Sequence, residues 1–187
     1  MATRFNEHVD AHDLLLLCQS AYRAHHSSET AVTDIHNRLV RNVDHGDHVS
    51  ALVLLDLSSA FDTVDHAILL DVLEKRFGIG GTVLKWYRSY LSNRMQTFQV
   101  GSQNSKTFVF YCSVPQSSVL GALKFVVYTE DLPAVIKRYV IEHHLYADDT
   151  QLLDDPPITC IAASISNMEH CIDAIHTWCS SKHLQKN

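Results

Sequence analysis

Cysteine is scarce and poorly placed for cross-linking. The 187 residues hold five, Cys18, Cys112, Cys160, Cys171 and Cys179. The number is odd and no CxxC spacing occurs, which argues against a disulfide framework or a cysteine-rich zinc site. It favours reduced thiols in an intracellular protein. Long apolar runs are missing too. Leu14 to Leu17 is far too short to span a bilayer, so no membrane span is expected. The opening Met-Ala-Thr-Arg-Phe-Asn-Glu-His lacks the pattern of a secretory leader. Internal repeats and low-complexity tracts are absent. Basic excess is absent as well: 15 Lys and Arg face 21 Asp and Glu, a net charge of −6. A nucleic-acid binder is usually basic on its binding face, although carboxylates that serve a catalytic site add to the negative sum. The 13 histidines, among them His143, His144, His170, His176 and His183, show no clean ligand spacing and read as surface or strand residues.

What is present is an ordinary apolar fraction, 46%, enough for a real core in one domain or part of a larger one. Two carboxylate signals stand out against it. His143-His144-Leu145-Tyr146-Ala147-Asp148-Asp149-Thr150-Gln151-Leu152-Leu153 sets two aspartates side by side in an apolar run. Neighbouring strand residues point to opposite faces, so the pair belongs at a hairpin tip, where Asp tolerates turn geometry. Like charges this close raise a pKa unless a cation offsets them. Hard divalent cations take one or two carboxylates plus substrate phosphates. On these residues alone a polar turn with both aspartates in water is the better account, because Asp is a common turn residue. The second signal is Val49 to Leu57, which reads as a strand buried on both faces with Asp56 at its end. A charge there is costly unless it is paired or metal-bound. Asp56 and Asp148 lie 92 positions apart (148 − 56), so only a tertiary fold brings them together.

The remaining pattern predicts a helix over residues 2–17, with Phe5, Val9 and Leu14 to Leu17 inward, and a loop from Tyr22 to His26. A second helix starts at Ser28 as its cap, with Val32, Ile35, Leu39 and Val43 along one face and Gly46 beyond its end. Asp65 caps a helix through Phe77, ended by Gly78, and Thr82 to Ser92 forms another. Met95 to Val100 and Lys106 to Cys112 form a hairpin. After Pro115 a helix capped by Ser117 or Ser118 runs to about Asp131. Arg138 to Tyr146 and Thr150 to Leu153 flank the Asp-Asp turn. Beyond Pro156-Pro157, Ile161, Ile165, Met168, Ile172, Ile175 and Trp178 mark a last amphipathic helix.

Four segments carry a resemblance. Leu54-Leu55-Asp56-Leu57-Ser58-Ser59-Ala60-Phe61-Asp62-Thr63-Val64-Asp65-His66 resembles motif A of reverse transcriptases from LINE-type (non-LTR) retrotransposons. Ser113-Val114-Pro115-Gln116-Ser117-Ser118-Val119-Leu120-Gly121 resembles their motif B, usually Gly-Val-Pro-Gln-Gly-Ser-Val-Leu-Gly, and Tyr146-Ala147-Asp148-Asp149 matches motif C. Gln19-Ser20-Ala21-Tyr22-Arg23, followed by His26-Ser27-Ser28-Glu29-Thr30-Ala31, resembles the fingers segment before motif A. The likeness runs from about Phe5 to the C-terminus, and four motifs in order are highly specific.

The resemblance implies an α+β fold: a polymerase palm, a ferredoxin-like antiparallel sheet with packed helices, plus partial fingers and no thumb. Residues 1–187 would be one reverse transcriptase domain fragment, with partial fingers over 1–48, the palm core with motifs A, B and C over 49–157, and a C-terminal palm helix over 158–187. It implies RNA-directed DNA polymerase activity with Asp56, Asp148 and Asp149 as catalytic residues. Two Mg²⁺ ions, or Mn²⁺, would sit on Asp56, the Leu57 carbonyl, Asp148 and Asp149. Arg23, Phe61, Gln116 and Ser117 would contact the nucleotide, Phe61 as the steric gate against a 2′-hydroxyl. The implied partners are an RNA template, a DNA primer and deoxynucleoside triphosphates. One departure matters: Pro115-Gln116-Ser117 stands where the family has Pro-Gln-Gly, and a Ser in a left-handed conformation costs roughly 1–2 kcal/mol. A Ser117 at negative φ would instead be a harmless cap. The rival reading is a non-catalytic retrotransposon remnant that folds and at most binds a partner.

Overall fold

The computed structural model describes residues 2–23, 26–43, 46–58, 61–114 and 119–186. Two helices come first, α1 (Ala2–Ala11) and α2 (Ser28–Val43). Strand β1 (Ala51–Leu55) and the short β2 (Leu57–Ser58) follow, then α3 (His66–Lys75) and α4 (Gly81–Leu91). Short strands β3 (Arg94–Gln96), β4 (Gln99–Val100), β5 (Gln103–Asn104) and β6 (Phe108–Phe110) precede α5 (Val119–Tyr128) and α6 (Leu132–Ile136). Strands β7 (Glu142–Tyr146) and β8 (Asp149–Asp154), helix α7 (Ile161–Ser181) and β9 (Gln185–Lys186) complete the order. The mixture of helices and an antiparallel sheet is the one the sequence predicts.

The central sheet has the order β1-β8-β7 and is antiparallel throughout. Its register pairs Leu55 with Thr150 and, across the two-residue turn, Tyr146 with Asp149. Leu145 and Leu152 enter the main core from one face, with Val53 and Leu55 packed against it. The other face is partly open: Leu52 is 38% and Leu54 68% exposed. The expectation of a β1 strand buried on both faces is therefore corrected. The strand sits in an antiparallel sheet with one covered face, and its Leu-rich sequence does not alternate to say so.

Local chemistry explains the helices. The Asp65 carboxylate accepts the Ala67 and Ile68 amides at 2.8 and 3.1 Å, capping α3 as expected. Burial pushes this carboxyl up, but those amides and His183 outweigh it and hold it below its usual range. Gly78, at φ 64°, takes the left-handed turn beyond the helix. Leu123, Phe125, Val126, Val127 and Tyr128 of α5 are all buried, so this helix is covered around its circumference. The Tyr128 hydroxyl donates to the Lys182 carbonyl and accepts the Asp65 amide, tying the end of α7 to the start of α3.

Several predicted boundaries move. The first helix ends at Ala11 instead of Leu17, because Asp13 takes a left-handed φ of 48°; Leu17 is 82% exposed. The cap of α2 is Ser27, whose Oγ accepts the Thr30 amide while Thr30 Oγ1 accepts the Ser27 amide. Val32, expected on the apolar face, is exposed. The predicted hairpin exists as two short ladders, β3 with β6 and β4 with β5, because Ser105 Oγ takes the Phe98 amide between them. The helix expected to reach Asp131 ends at Tyr128, and α6 starts anew with Pro133 in its first turn. Strand β7 begins at Glu142, not Arg138, since residues 137–139 form a 3₁₀ turn. Among the described residues no helix is long and apolar enough to cross a membrane.

Candidate active site

The sheet brings the two carboxylate signals to one end. The β1–β8 register closes with Leu55 opposite Thr150. Carried one residue further, it sets Asp56 beside Asp149, while Asp148 occupies the turn between β7 and β8. The electrostatics agree: burial first, then the charges of Asp148 and Asp56, hold the Asp149 carboxyl above its usual range. Asp149 thus feels the charge of Asp56 from a stretch distant in sequence, as well as that of its neighbour Asp148. Leu57 follows directly, its side chain buried and its strand β2 paired with β9.

Phe61 is half-buried, its ring centroid 5.0 Å from that of Phe125. Its carbonyl accepts the Val114 amide at 2.8 Å, and the Ser113 amide donates to the Val64 carbonyl at 2.9 Å. The segment leading into residues 115–118 therefore runs beside the loop that carries Phe61. Gln116 and Ser117 lie outside the described residues. Arg23 donates one guanidinium N–H to the Leu16 carbonyl at 3.2 Å, within its own loop.

Tyr22 was not singled out by sequence reasoning, yet it neighbours the acidic group. Burial, then the Asp148 charge and Tyr146, raise its phenol above the usual value, and its backbone is left-handed at φ 58°. The signal available was its place beside Arg23 in the fingers-like stretch.

Among the described residues no group of three His, Cys, Asp or Glu side chains is arranged to hold a metal ion. The donor set still suits a hard divalent cation. Such ions need only one or two protein carboxylates when substrate phosphates complete the shell; the Asp149 carboxyl is raised first by burial and then by the Asp148 and Asp56 charges, and a cation would offset the latter.

The sequence pattern of the reverse transcriptase (RNA-dependent DNA polymerase) family matches residues 3–187. The chain belongs to the reverse transcriptase family. This reverse transcriptase chain is 27% identical over 192 residues to the "Probable RNA-directed DNA polymerase from transposon BS" of Drosophila melanogaster, covering 100% of itself and 21% of that protein. It is 24% identical over 174 residues to the "RNA-directed DNA polymerase from mobile element jockey" of the same fly, covering 90% of itself and 18% of that protein. The chain thus spans about a fifth of the length of these relatives. In fold it is similar to telomerase from Candida albicans, solved in complex with the TWJ fragment of telomeric RNA. That match has a TM-score of 0.67 at 11% identity, over 100% of this chain and 33% of the telomerase. These likenesses support a LINE-type, non-LTR retrotransposon origin for this reverse transcriptase segment.

Proposed function

We propose that this chain is the polymerase palm of an RNA-directed DNA polymerase, a ferredoxin-like sheet with packed helices and partial fingers, and that it joins deoxynucleotides to a primer 3′-hydroxyl on an RNA template. Residues 1–48 act as partial fingers, 49–157 as the palm core and 158–187 as its C-terminal helix. The observation that carries the reading is the β1–β8 register, which brings Asp56 to the end of the sheet where Asp148 and Asp149 form the hairpin tip.

Asp56 and Asp148 hold the divalent cations, with Asp149 supporting and the Leu57 carbonyl as a further ligand. When bound, a pair of Mg²⁺ or Mn²⁺ ions activates the primer hydroxyl and offsets charge on the leaving pyrophosphate. The other residues bind and select. Phe61, backed by Phe125, walls the sugar side of the nucleotide and rejects a 2′-hydroxyl. Arg23 meets the triphosphate with the N–H groups not given to Leu16. Gln116 and Ser117 touch the sugar or the template strand.

A second reading, a folded remnant without polymerase activity, is favoured by the departures in motif B, where Ser113 and Ser117 stand in place of the family's glycines. Extension of a DNA primer on an RNA template separates the two. Product from the wild type and none from Asp148→Asn supports the polymerase. Absence of product from both, with folded protein, supports the remnant.

A further inference from the structure

A buried glutamine stands behind the aspartate turn. Gln19 is 4% exposed. Its Oε1 accepts the Ala147 N–H at 3.1 Å and the Ala21 N–H at 2.9 Å. Its Nε2 donates to the Ala147 carbonyl at 3.5 Å, a long bond to the same residue. Both partners of Oε1 are donors, which fixes which end of the amide carries oxygen. Gln19 and Ala147 lie 128 positions apart, so the contact belongs to the tertiary fold.

Ala147 needs holding. Its φ is 55°, and an alanine in the left-handed region costs roughly 1–2 kcal/mol. Strained residues of this kind persist only where their surroundings over-determine them. Ala147 is itself buried, at 8% exposed, and directly precedes Asp148. Its backbone therefore sets the direction in which Asp148 leaves the turn. One side chain that binds both an N–H and a C=O must carry an acceptor and a donor. Glu lacks the donor, Lys lacks the acceptor, and either would bring a charge near the three aspartates. A neutral amide meets all three conditions.

The rest of the segment is tied down at the same place. Leu145 N–H donates to the Cys18 carbonyl at 2.7 Å and Ser20 N–H to the Leu145 carbonyl at 3.0 Å, a parallel bridge along β7. On the flank, His144 Nδ1 donates to Gln151 Oε1 at 3.1 Å, which leaves Nε2 to accept the Ser20 hydroxyl at 2.8 Å. Gln19 is thus presented to the turn by a fixed stretch of backbone.

We infer that Gln19 is a positioning residue, which holds the Ala147 peptide in its left-handed form and so aims Asp148 at the reacting end of the sheet. The inference rests on the polymerase reading. It assigns a role to a residue of the fingers-like stretch that touches neither nucleotide nor metal.

Two readouts test it together: amide hydrogen exchange at Ala147, and steady-state primer extension. Both are measured in the wild type, in Gln19→Met and in Gln19→Met combined with Ala147→Gly, below the melting temperature of each. In Gln19→Met the Ala147 amide should exchange about ten-fold faster or more, while that of Leu152 in β8 is unchanged. The kcat should fall on the order of ten- to a hundred-fold, with KM for primer–template within about two-fold, as expected of a sub-ångström misplacement. Adding Ala147→Gly should restore part of kcat, because glycine takes a left-handed φ freely. If Gln19→Met does not fold, Gln19→Glu replaces it: its carboxylate still accepts the Ala147 and Ala21 amides and loses only the long donor bond, so the Ala147 amide should stay protected while the charge added near the aspartates lowers kcat. Exchange at Ala147 that is equal in wild type and Gln19→Met, or fast in Gln19→Glu, overturns the inference. So does a kcat loss that Ala147→Gly leaves untouched. A folded wild type that extends no primer removes the polymerase reading and this inference with it; a wild type that extends, matched by Gln19→Met, removes the inference alone.

Discussion

The ammonium of Lys124 on α5 lies 3.8 Å from the ring centroid of Tyr90 on α4. It is almost wholly buried, finds no hydrogen-bond partner among the described residues, and also sits 5.6 Å from the Tyr87 ring. Burial, with the charge of Arg94 adding to it, pulls its pKa down to about 8. The aromatic faces soften the cost of burying a cation without removing it.

Lys124→Leu should therefore stabilise the fold by about 1–3 kcal/mol at pH 7, as replacement of buried charge by a well-packed apolar side chain often does. The sign of the pH dependence follows from linkage. Between about pH 8 and the ordinary lysine value near 10.5 the unfolded chain binds the extra proton, so wild-type stability rises with pH in that window. The variant should lack this rise. Urea unfolding at pH 7 and pH 9.5 checks both statements; a less stable variant would mean that the cation–aromatic contacts outweigh desolvation.

Asp149 should oppose folding when no cation is present. Its carboxyl is raised by burial and by Asp148 and Asp56, so the folded state binds its proton more tightly. Stability from this group is complete below the unfolded value near pH 4 and is lost as pH rises through the folded one. Asp149→Asn in EDTA should melt higher than wild type at pH 7, and the gap should close at about pH 3.5. A lower melting temperature at pH 7 would show that Asp149 is stabilised by its neighbours instead.

Ser113 stands where motif B usually has glycine, and its φ is 88°. Its carbonyl accepts His66 Nε2 at 2.7 Å, which keeps the peptide in place. Ser113→Gly should relieve roughly 1 kcal/mol of strain and raise the melting temperature by about 2–4 °C for a chain of this size. An unchanged or lower value would mean that the unfolded-state entropy of glycine cancels the relief.

Phe61 should discriminate sugars. If it walls the nucleotide, Phe61→Ala admits ribonucleotides, narrowing the preference for deoxynucleotides by several-fold or more. Competition assays with each nucleotide pair read this directly. Equal discrimination in wild type and variant, with a drop in stability, would leave Phe61 as a packing partner of Phe125 alone.

Much of this was legible because the chemistry is local. Asp65 caps α3 through amides two and three residues on, and the Asp148-Asp149 pair in an apolar run pointed to a hairpin tip because Asp tolerates turn geometry. Asp56 was legible as a charge closing a strand. The exposure of Leu52 and Leu54 was not, because it depends on what covers the second face of the sheet. Lys124 reads in sequence as a charge on an amphipathic helix, and only packing against α4 shows it buried. Gln19 looks like a loop residue, since its importance lies in a peptide 128 positions away.

A melting curve against Mn²⁺ tests most directly the proposal that Asp56, Asp148 and Asp149 bind a divalent cation. A ligand that binds only the folded state stabilises it by about 2.7 kcal/mol at a hundred times its dissociation constant. Wild type should therefore melt several degrees higher in saturating Mn²⁺ than in EDTA, by roughly 2–4 °C per kcal/mol. Asp148→Asn should show no rise. A wild type whose melting temperature stays the same at high Mn²⁺, or an Asp148→Asn variant that rises equally, would contradict the account.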